Sequence, residues 1–260
     1  MRRLLLSALI SQSLLSGAII EISDMKDMLP LLDFSDPTKT MIVFDIDNTL
    51  LQAKQQLGSV AWGEHMTKEL IKKRVPHDEA KEITNILWSA VQPYIEIEPV
   101  LPNTSWLVKD LQTQGATILC LTARAPHEVA YTHRQLKSIG IDLDGTDKQQ
   151  EFFLNRKVLF YQNILFSTPF NKKSKTLLCF LEHNQLDVNQ IVFIDDKYSH
   201  VEEVIRALEK KGITCLGIRF SGADQRVAQY NPKISALQWE AFPKILSDEE
   251  AEIILQSQNW

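Results

Sequence analysis

Cysteine is scarce in this chain, with three in 260 residues: Cys120, Cys179 and Cys215. They are widely spaced, form no Cys-x-x-Cys pair and are accompanied by no histidine pair, a pattern that argues against a zinc site. The odd count excludes a framework in which every cysteine is bridged. Cys120 and Cys215 lie in apolar, strand-like runs and Cys179 in a helical pattern, so buried thiols are expected. Positive charge is not in excess either: 28 Lys and Arg stand against 33 Asp and Glu, with the signs interspersed and a net charge of −5. No basic footprint for nucleic acid results. Internal repeats and low-complexity tracts are absent. The one acidic cluster, Asp142, Asp144, Gly145 and Asp147, lacks the spacing and terminal Glu of an EF-hand loop and reads as a solvated loop running from Ile141 to Asn155.

A stable membrane span is not expected. The apolar segment at the N-terminus, Leu4 to Leu15, is short and interrupted by Ser11-Gln12-Ser13. Its basic start, Met1-Arg2-Arg3, and the small-x-small end, Ser16-Gly17-Ala18, read as a signal peptide covering residues 1–18. That reading places the protein outside the cytoplasm, in a bacterial periplasm or secreted. The alternative, a helix packed on the domain, leaves it cytoplasmic.

Against this background the stretch Met41-Ile42-Val43-Phe44-Asp45-Ile46-Asp47-Asn48-Thr49 stands out. Four consecutive apolar residues read as a strand buried on both faces, as in a parallel sheet. The strand runs into two carboxylates one residue apart, and on an extended chain positions i and i+2 point the same way. Asp45 and Asp47 are therefore aimed at one spot beyond the strand tip, where open α/β sheets bind ligands. The competing role for either acid is to cap a turn.

Downstream, helical periodicity takes over between about residues 53 and 98, weakly through Trp62, Met66 and Leu70 and clearly through Ile83, Leu87, Ala90, Val91 and Tyr94, with a break at Val75-Pro76-His77. This insertion reads as a helical hairpin, packed over the site or away from it. Trp62, His65 and Trp88 are assigned to its interior and given no role. A helix beginning near Pro102-Asn103 and closed by Gly115 precedes a second buried strand, Ala116 to Thr122, that ends in a hydroxyl. Arg124 either approaches the same site or begins the next loop. Pro126 to Lys137 reads as a helix, and Lys157 to Tyr161 and Ile164 to Ser167 as a hairpin or as a strand leading into the core. Lys172, Lys173 and Lys175 crowd a helix start, where a basic first turn opposes the helix dipole and invites an anionic partner. Finally Gln190-Ile191-Val192-Phe193-Ile194 runs into Asp195-Asp196. Adjacent acids at a strand end repel unless a cation lies between them, and Mg²⁺ takes such oxygen ligands. A last apolar strand covers residues 213–220, and Ser247-Asp248-Glu249-Glu250 starts a final helix over 247–260.

These four motifs, in this order, resemble those of the haloacid dehalogenase (HAD) superfamily: Asp-x-Asp-x-Thr at Asp45 to Thr49, a strand ending in Thr122, a Lys near a helix start, and Asp195-Asp196. Of the three lysines Lys173 aligns best, although Ser174 replaces the usual glycine and Lys172 or Lys175 could substitute. The tail and N-terminal run resemble the bacterial branch of that superfamily called DUF2608. The resemblance spans Met41 to Phe220. It implies a Rossmann-like, doubly wound parallel α/β sheet with a core at 19–52 and 99–246 and a cap at 53–98. It implies Asp45 as nucleophile and Asp47 as general acid and base. Phosphate binding falls to Thr122, Lys173 and Arg124, and Mg²⁺ to Asp45, Asp47 (through its backbone carbonyl), Asp195 and Asp196. The activity implied is a Mg²⁺-dependent phosphomonoester hydrolase acting on a phosphorylated small molecule or phosphoprotein, with an aspartyl-phosphate intermediate. Asp rather than Thr at position 47 favours hydrolysis over the cycling of the superfamily's ATP-driven pumps. A phosphotransferase, or a catalytically silent binding protein on the same fold, is the alternative.

Overall fold

The strands form where apolar runs are short and β-branched, and the helices where the apolar residues fall on one face. The computed structural model describes residues 17–32, 39–143, 145–146, 148–186, 188 and 190–258. All of the expected signal segment but Gly17 and Ala18 lies outside the described residues, as do Asp144 and Asp147 of the acidic loop. In chain order the first half contains β1 (Ile19–Ile22), β2 (Thr40–Phe44), β3 (Leu51–Ala53), α1 (Val60–Lys72), α2 (His77–Val91), β4 (Ile97–Pro99), α3 (Thr104–Thr113) and β5 (Thr117–Thr122). The second half contains α4 (Val129–Ser138), β6 (Gln150–Phe153), β7 (Lys157–Tyr161), β8 (Ile164–Phe166), α5 (Lys173–Asn184), β9 (Gln190–Asp195), α6 (Tyr198–Glu209), β10 (Cys215–Phe220), α7 (Asp224–Ala228), α8 (Pro232–Ala241) and α9 (Asp248–Gln258).

Eight strands make one sheet in the order β1-β10-β9-β2-β5-β8-β7-β6. The first six are mutually parallel, and β7 and β6 continue the sheet antiparallel. From β2 the chain builds outward on one side through β5 and β8, then crosses back to lay down β9 and β10 on the other. The strand order thus reverses at β2, which creates the crevice where doubly wound sheets place their ligands. Every residue of β2 is buried. Alternate residues feed opposite faces: Ile42 and Phe44 pack with Leu107, Leu111 and Leu136 of α3 and α4, whereas Met41 and Val43 pack with Leu177, Val201 and Ile205 of α5 and α6. Both faces of the sheet are therefore covered, as an apolar strand without alternation requires.

The structure departs from the sequence reading in local detail. The chain from Ile141 to Asn155 is not wholly loop: Gln150–Phe153 pairs antiparallel with β7 as the sheet's edge strand, burying only Phe152. Its polar residues face solvent on an edge, which hides the strand from a periodicity argument. Pro126–Glu128 is a single 3₁₀ turn ahead of α4, and Met25–Leu31 is 3₁₀ as well. The β7–β8 hairpin turns on Gln162 and Asn163, both at positive φ (45° and 59°), the backbone a two-residue hairpin demands. Its second strand is also a core strand, so both readings of that segment hold.

The helical insertion leaves the core through β3 and returns through β4, which pair with one another as a two-stranded ribbon. Its α1–α2 hairpin shares a third apolar cluster with the C-terminal segment: Leu57, Trp62 and Val91 pack with Tyr230 and Phe242, and the Trp62 and Trp239 rings lie 5.8 Å apart. Gln56 bonds to Asp248 through its backbone N–H (2.8 Å) and its side-chain amide (3.0 Å), and Gln238 accepts from the Leu57 N–H (2.8 Å). The C-terminal helices thus brace the base of the hairpin.

Candidate active site

Three strand ends and one helix start meet at the carboxyl edge of the sheet. The Asp45 N–H donates to the Ile194 carbonyl (2.8 Å), which carries the β2–β9 pairing one residue beyond the strand. The chain then folds around the Ile46 carbonyl, which accepts from Leu50 (2.9 Å) and Leu51 (3.1 Å). This turn needs Asn48 at φ 62°, a conformation Asn tolerates better than most residues. Asn48 also reaches across to Asp196 (Nδ2 to Oδ2, 3.3 Å), linking the first motif to the last. The Thr49 hydroxyl is buried in this turn without a hydrogen-bond partner among the described residues.

Asp45, Asp195 and Asp196 each bring an oxygen to one place, all within 4.8 Å of one another. Lys173, at the start of α5, is 4% exposed and holds Asp45 Oδ1 at 2.6 Å and Asp195 Oδ2 at 2.7 Å. Of the three candidate lysines, only this one is turned into the site; Lys172 and Lys175 are exposed. Burial would discharge the Lys173 ammonium, but Asp195 and Asp45 outweigh that and push its pKa up.

The three acids are not equivalent. Asp195 is fully buried yet saturated with donors: Lys173, the Lys197 N–H (2.8 Å) and His200 Nδ1 (3.1 Å). Burial alone would raise its pKa; Lys173 and His200 reverse that and hold it well below the usual carboxylate range. Among the described residues Asp196 accepts only the long contact from Asn48, and burial together with the charges of Asp45 and Asp195 pushes its pKa up to about 8. Asp45 is raised to about 6, by burial first and then by Asp195 and Asp47, with Lys173 opposing. Carboxylates raised by burial and by one another's charge, offering hard oxygen donors in one spot, fit a divalent cation of the Mg²⁺ class. Asp196 and Asp45, less committed to internal donors than Asp195, are the side chains with oxygens to give.

The Asp47 carboxylate stands apart from this cluster. Arg124, 2% exposed, grips it with both arms, Nε to Oδ2 at 2.9 Å and Nη2 to Oδ1 at 2.8 Å. The far side of the guanidinium donates to Thr132 Oγ1 (3.0 Å) and Gln135 Oε1 (2.6 Å) on α4, so the fork is fixed from behind. Burial disfavours this charge, but Asp47 more than compensates and its pKa is raised. Thr122 is completely buried and accepts the Arg124 N–H (3.1 Å), leaving its own hydroxyl hydrogen to donate.

The α1–α2 hairpin closes over these groups. A cavity of about 200 Å³ is walled by Asp45, Asp47, Arg124, Lys173 and Asp196 below and by Glu64, Thr67, Lys81 and Trp88 of the hairpin above. Glu64 pairs with Lys197 (2.6 Å), and Ser89 donates to the buried Glu128 (2.5 Å), which also accepts from Tyr131 and the Ala125 N–H. Trp88, given no role from the sequence, lies over the Arg124 guanidinium at 5.3 Å and lines the cavity. His200 was missed altogether. Its only sequence signal is position: one turn into the helix that follows Asp195-Asp196, where a side chain reaches back to the strand end.

The family described as "Protein of unknown function (DUF2608)" matches residues 21–252. A Chlamydia pneumoniae protein named "Putative outer membrane protein" is 26% identical over 257 residues, covering 93% of this chain and 91% of its own length. A protein of the same name from Chlamydia trachomatis is 23% identical, with 96% and 94% covered. Among solved structures, a haloacid dehalogenase-like family hydrolase from Streptococcus pneumoniae covers 75% of this chain and 92% of its own, at 18% identity and a TM-score of 0.46. The class C acid phosphatase of Bacillus anthracis covers 84% and 78%, at 18% identity and a TM-score of 0.38. No helix among the described residues is long and apolar enough to cross a membrane.

Proposed function

Because the chain belongs to the DUF2608 family, a family defined without an activity, its function has to come from its own site, and we propose that it is a Mg²⁺-dependent phosphomonoester hydrolase. The observation that carries this reading is the division of labour among the acids. Asp45 lies beside a fixed cation and an uncompensated carboxylate, while Asp47 stands one residue on, oriented by a bidentate arginine. The substrate is a phosphorylated small molecule or a phosphoprotein.

In the proposed reaction an Asp45 oxygen attacks phosphorus and the bond from phosphorus to the alcohol oxygen breaks. Asp47 delivers a proton to that oxygen. Water then attacks the aspartyl-phosphate, Asp47 takes its proton, and phosphate leaves as the Asp45 oxygen is released. Lys173 neutralises Asp45 and an incoming phosphoryl oxygen together. The Thr122 hydroxyl, with its hydrogen uncommitted, is a donor for another. Arg124 fixes the plane of the Asp47 carboxyl, a positioning effect in which misplacement by about 1 Å can cost on the order of 100-fold. Asp45, Asp196 and the Asp47 carbonyl would hold Mg²⁺, whose charge would offset repulsion between the nucleophile and the phosphate. Asp195 holds Lys173 and His200 in place. The α1–α2 hairpin acts as the cap that excludes water from the cavity. The relatives' name is in keeping with export, and residues 1–18 would serve as the signal.

The test is turnover of p-nitrophenyl phosphate by the full chain with and without Mg²⁺, alongside Asp45→Asn. Activity should require the metal and vanish in the variant while the circular dichroism spectrum is unchanged. Acid-quenched wild-type protein should carry a phosphoryl group that mass spectrometry places on Asp45. Metal-dependent turnover by a clean Asp45→Asn preparation would refute the assignment. Phosphate passing to an added alcohol would make the protein a phosphotransferase, and no turnover across a broad panel would make it a binding protein.

A further inference from the structure

The cavity over Asp45, about 200 Å³, takes a phosphoryl group and a handful of further atoms. A longer alcohol has to extend beyond it. A groove of about 680 Å³ adjoins the cavity and shares Lys81, Pro169, Lys173, Lys197 and His200 with it. Lys81, Arg156 and Lys172 line its outer part with Asp78, Glu82 and Glu203, while Lys173 and Lys197 at its inner end are held by Asp45, Asp195 and Glu64.

Its outer half is built. The β6–β7 turn is stitched to the loop before α5 by Arg156 N–H to Asn171 Oδ1 (3.0 Å), Asn171 Nδ2 to the Arg156 carbonyl (3.0 Å) and Asn155 Nδ2 to the Phe170 carbonyl (3.2 Å). That loop holds Thr168 at φ 64°, a strained conformation for a β-branched residue, and Phe170, two residues on, lines the groove. Two cations rest on the Phe170 ring, Arg156 at 5.3 Å and Lys81 at 5.6 Å, with Lys81 also donating to the Pro169 carbonyl (2.8 Å). A cation already stacked on a ring loses less freedom when an anion arrives. Of its acids, Glu203 accepts from Ser174, Glu82 meets Arg156 only at 3.8 Å, and Asp78 lies beside His77 (3.2 Å) and faces solvent. Lys172 is exposed and forms no ion pair among the described residues.

We infer that the substrate is a small phosphomonoester whose alcohol carries a second anionic group, a phosphate or carboxylate, received by Arg156 and Lys172. Arginine's planar fork suits either oxyanion. The inference rests on the phosphatase reading for the chemistry, but the anion preference of the groove can be measured independently.

The experiment compares butanediol monophosphate, butanediol bisphosphate and O-phosphorylated hydroxybutyrate, which differ only at the far end, with p-nitrophenyl phosphate as a substrate that carries no second anionic group. The full chain with Mg²⁺ should show kcat/KM at least tenfold higher for the two doubly anionic compounds than for the monophosphate. The better of the two names the second group as phosphate or carboxylate. Arg156→Met and Lys172→Gln should each erase most of that preference through KM, with p-nitrophenyl phosphate turnover unchanged. Equal kcat/KM for all three butyl compounds overturns the inference, as does an equal loss on every substrate, or faster turnover of a phosphoserine peptide than of the bisphosphate. If nothing is hydrolysed, the phosphatase reading fails, and thermal shift decides the groove alone. Stabilisation by the bisphosphate that disappears in Arg156→Met upholds the anion site, and no stabilisation sinks it.

Discussion

Asp195 and Asp196 are neighbours in sequence with opposite electrostatic fates, and substitutions separate them. Asp195 is the counter-charge of a buried lysine and receives two further donors. Asp195→Asn would leave Lys173 with only Asp45 in a nearly dry site, and breaking a buried pair costs roughly 3–5 kcal/mol. At about 2–4 °C per kcal/mol for a chain of this size, melting should fall by on the order of 10 °C. Asp196 is crowded by like charge, with its pKa pushed up to about 8. Asp196→Asn removes that repulsion, so the chelator-treated variant should melt no lower than wild type at pH 8 while its response to Mg²⁺ disappears. Differential scanning calorimetry on both variants decides the matter. Equal destabilisation would show that the two acids share one role. Arg124→Lys gives a third contrast at this scale. Lysine keeps the charge but not the fork, so kcat should drop about 10–100-fold with KM little changed.

At the scale of elements, the α1–α2 hairpin touches the chemistry mainly through Trp88, stacked on the arginine that orients Asp47. Trp88→Leu keeps an apolar residue but removes the ring face, an interaction worth roughly 0.5–2 kcal/mol. Steady-state kinetics should show kcat lowered several-fold and p-nitrophenyl phosphate KM nearly unchanged, whereas an effect confined to KM would make Trp88 a substrate contact instead. The Trp88 contact with Arg124 was not readable from the chain. Asp45, Asp47, Asp195 and Asp196 were legible because an apolar strand ending in paired charge contradicts its own burial unless something binds there. Lys173 was narrowed from three candidates only by alignment with a family pattern, since nothing local distinguishes it from Lys172 and Lys175. The grip of Arg124 on Asp47 spans 77 positions and the brace of Gln56 on Asp248 spans 192. Contacts of that range follow from topology, which periodicity does not specify. The edge strand Gln150–Phe153 was missed because one buried residue in four carries no pattern.

For the whole molecule, the acids at the sheet edge couple stability to pH and to metal. Asp45 and Asp196, ordinarily near 3.8, are raised to about 6 and about 8 in the folded chain. Between those values and 3.8 the folded state holds protons that the unfolded state has released, so stability must fall as pH rises through this window. Asp195 works the other way, stabilising the fold above 3.8 and losing that contribution only in stronger acid, below the window. In chelator, then, melting temperature should decline from pH 5 to pH 8.5. A divalent cation that binds only the folded, deprotonated site reverses this, by about 2.7 kcal/mol at one hundred times its Kd. Its increment must grow with pH, because at pH 5 it has to displace protons that are gone by pH 8.5. Rising net negative charge would also lower stability with pH, but Asp196→Asn separates the two, since global repulsion and the Asp45 part of the local term persist in the variant while the Asp196 part, which runs up to about pH 8, and the Mg²⁺ increment do not. A chelated melting temperature that stays level across this range, or a Mg²⁺ increment equal at both ends of it, would mean that these carboxylates do not share an ion.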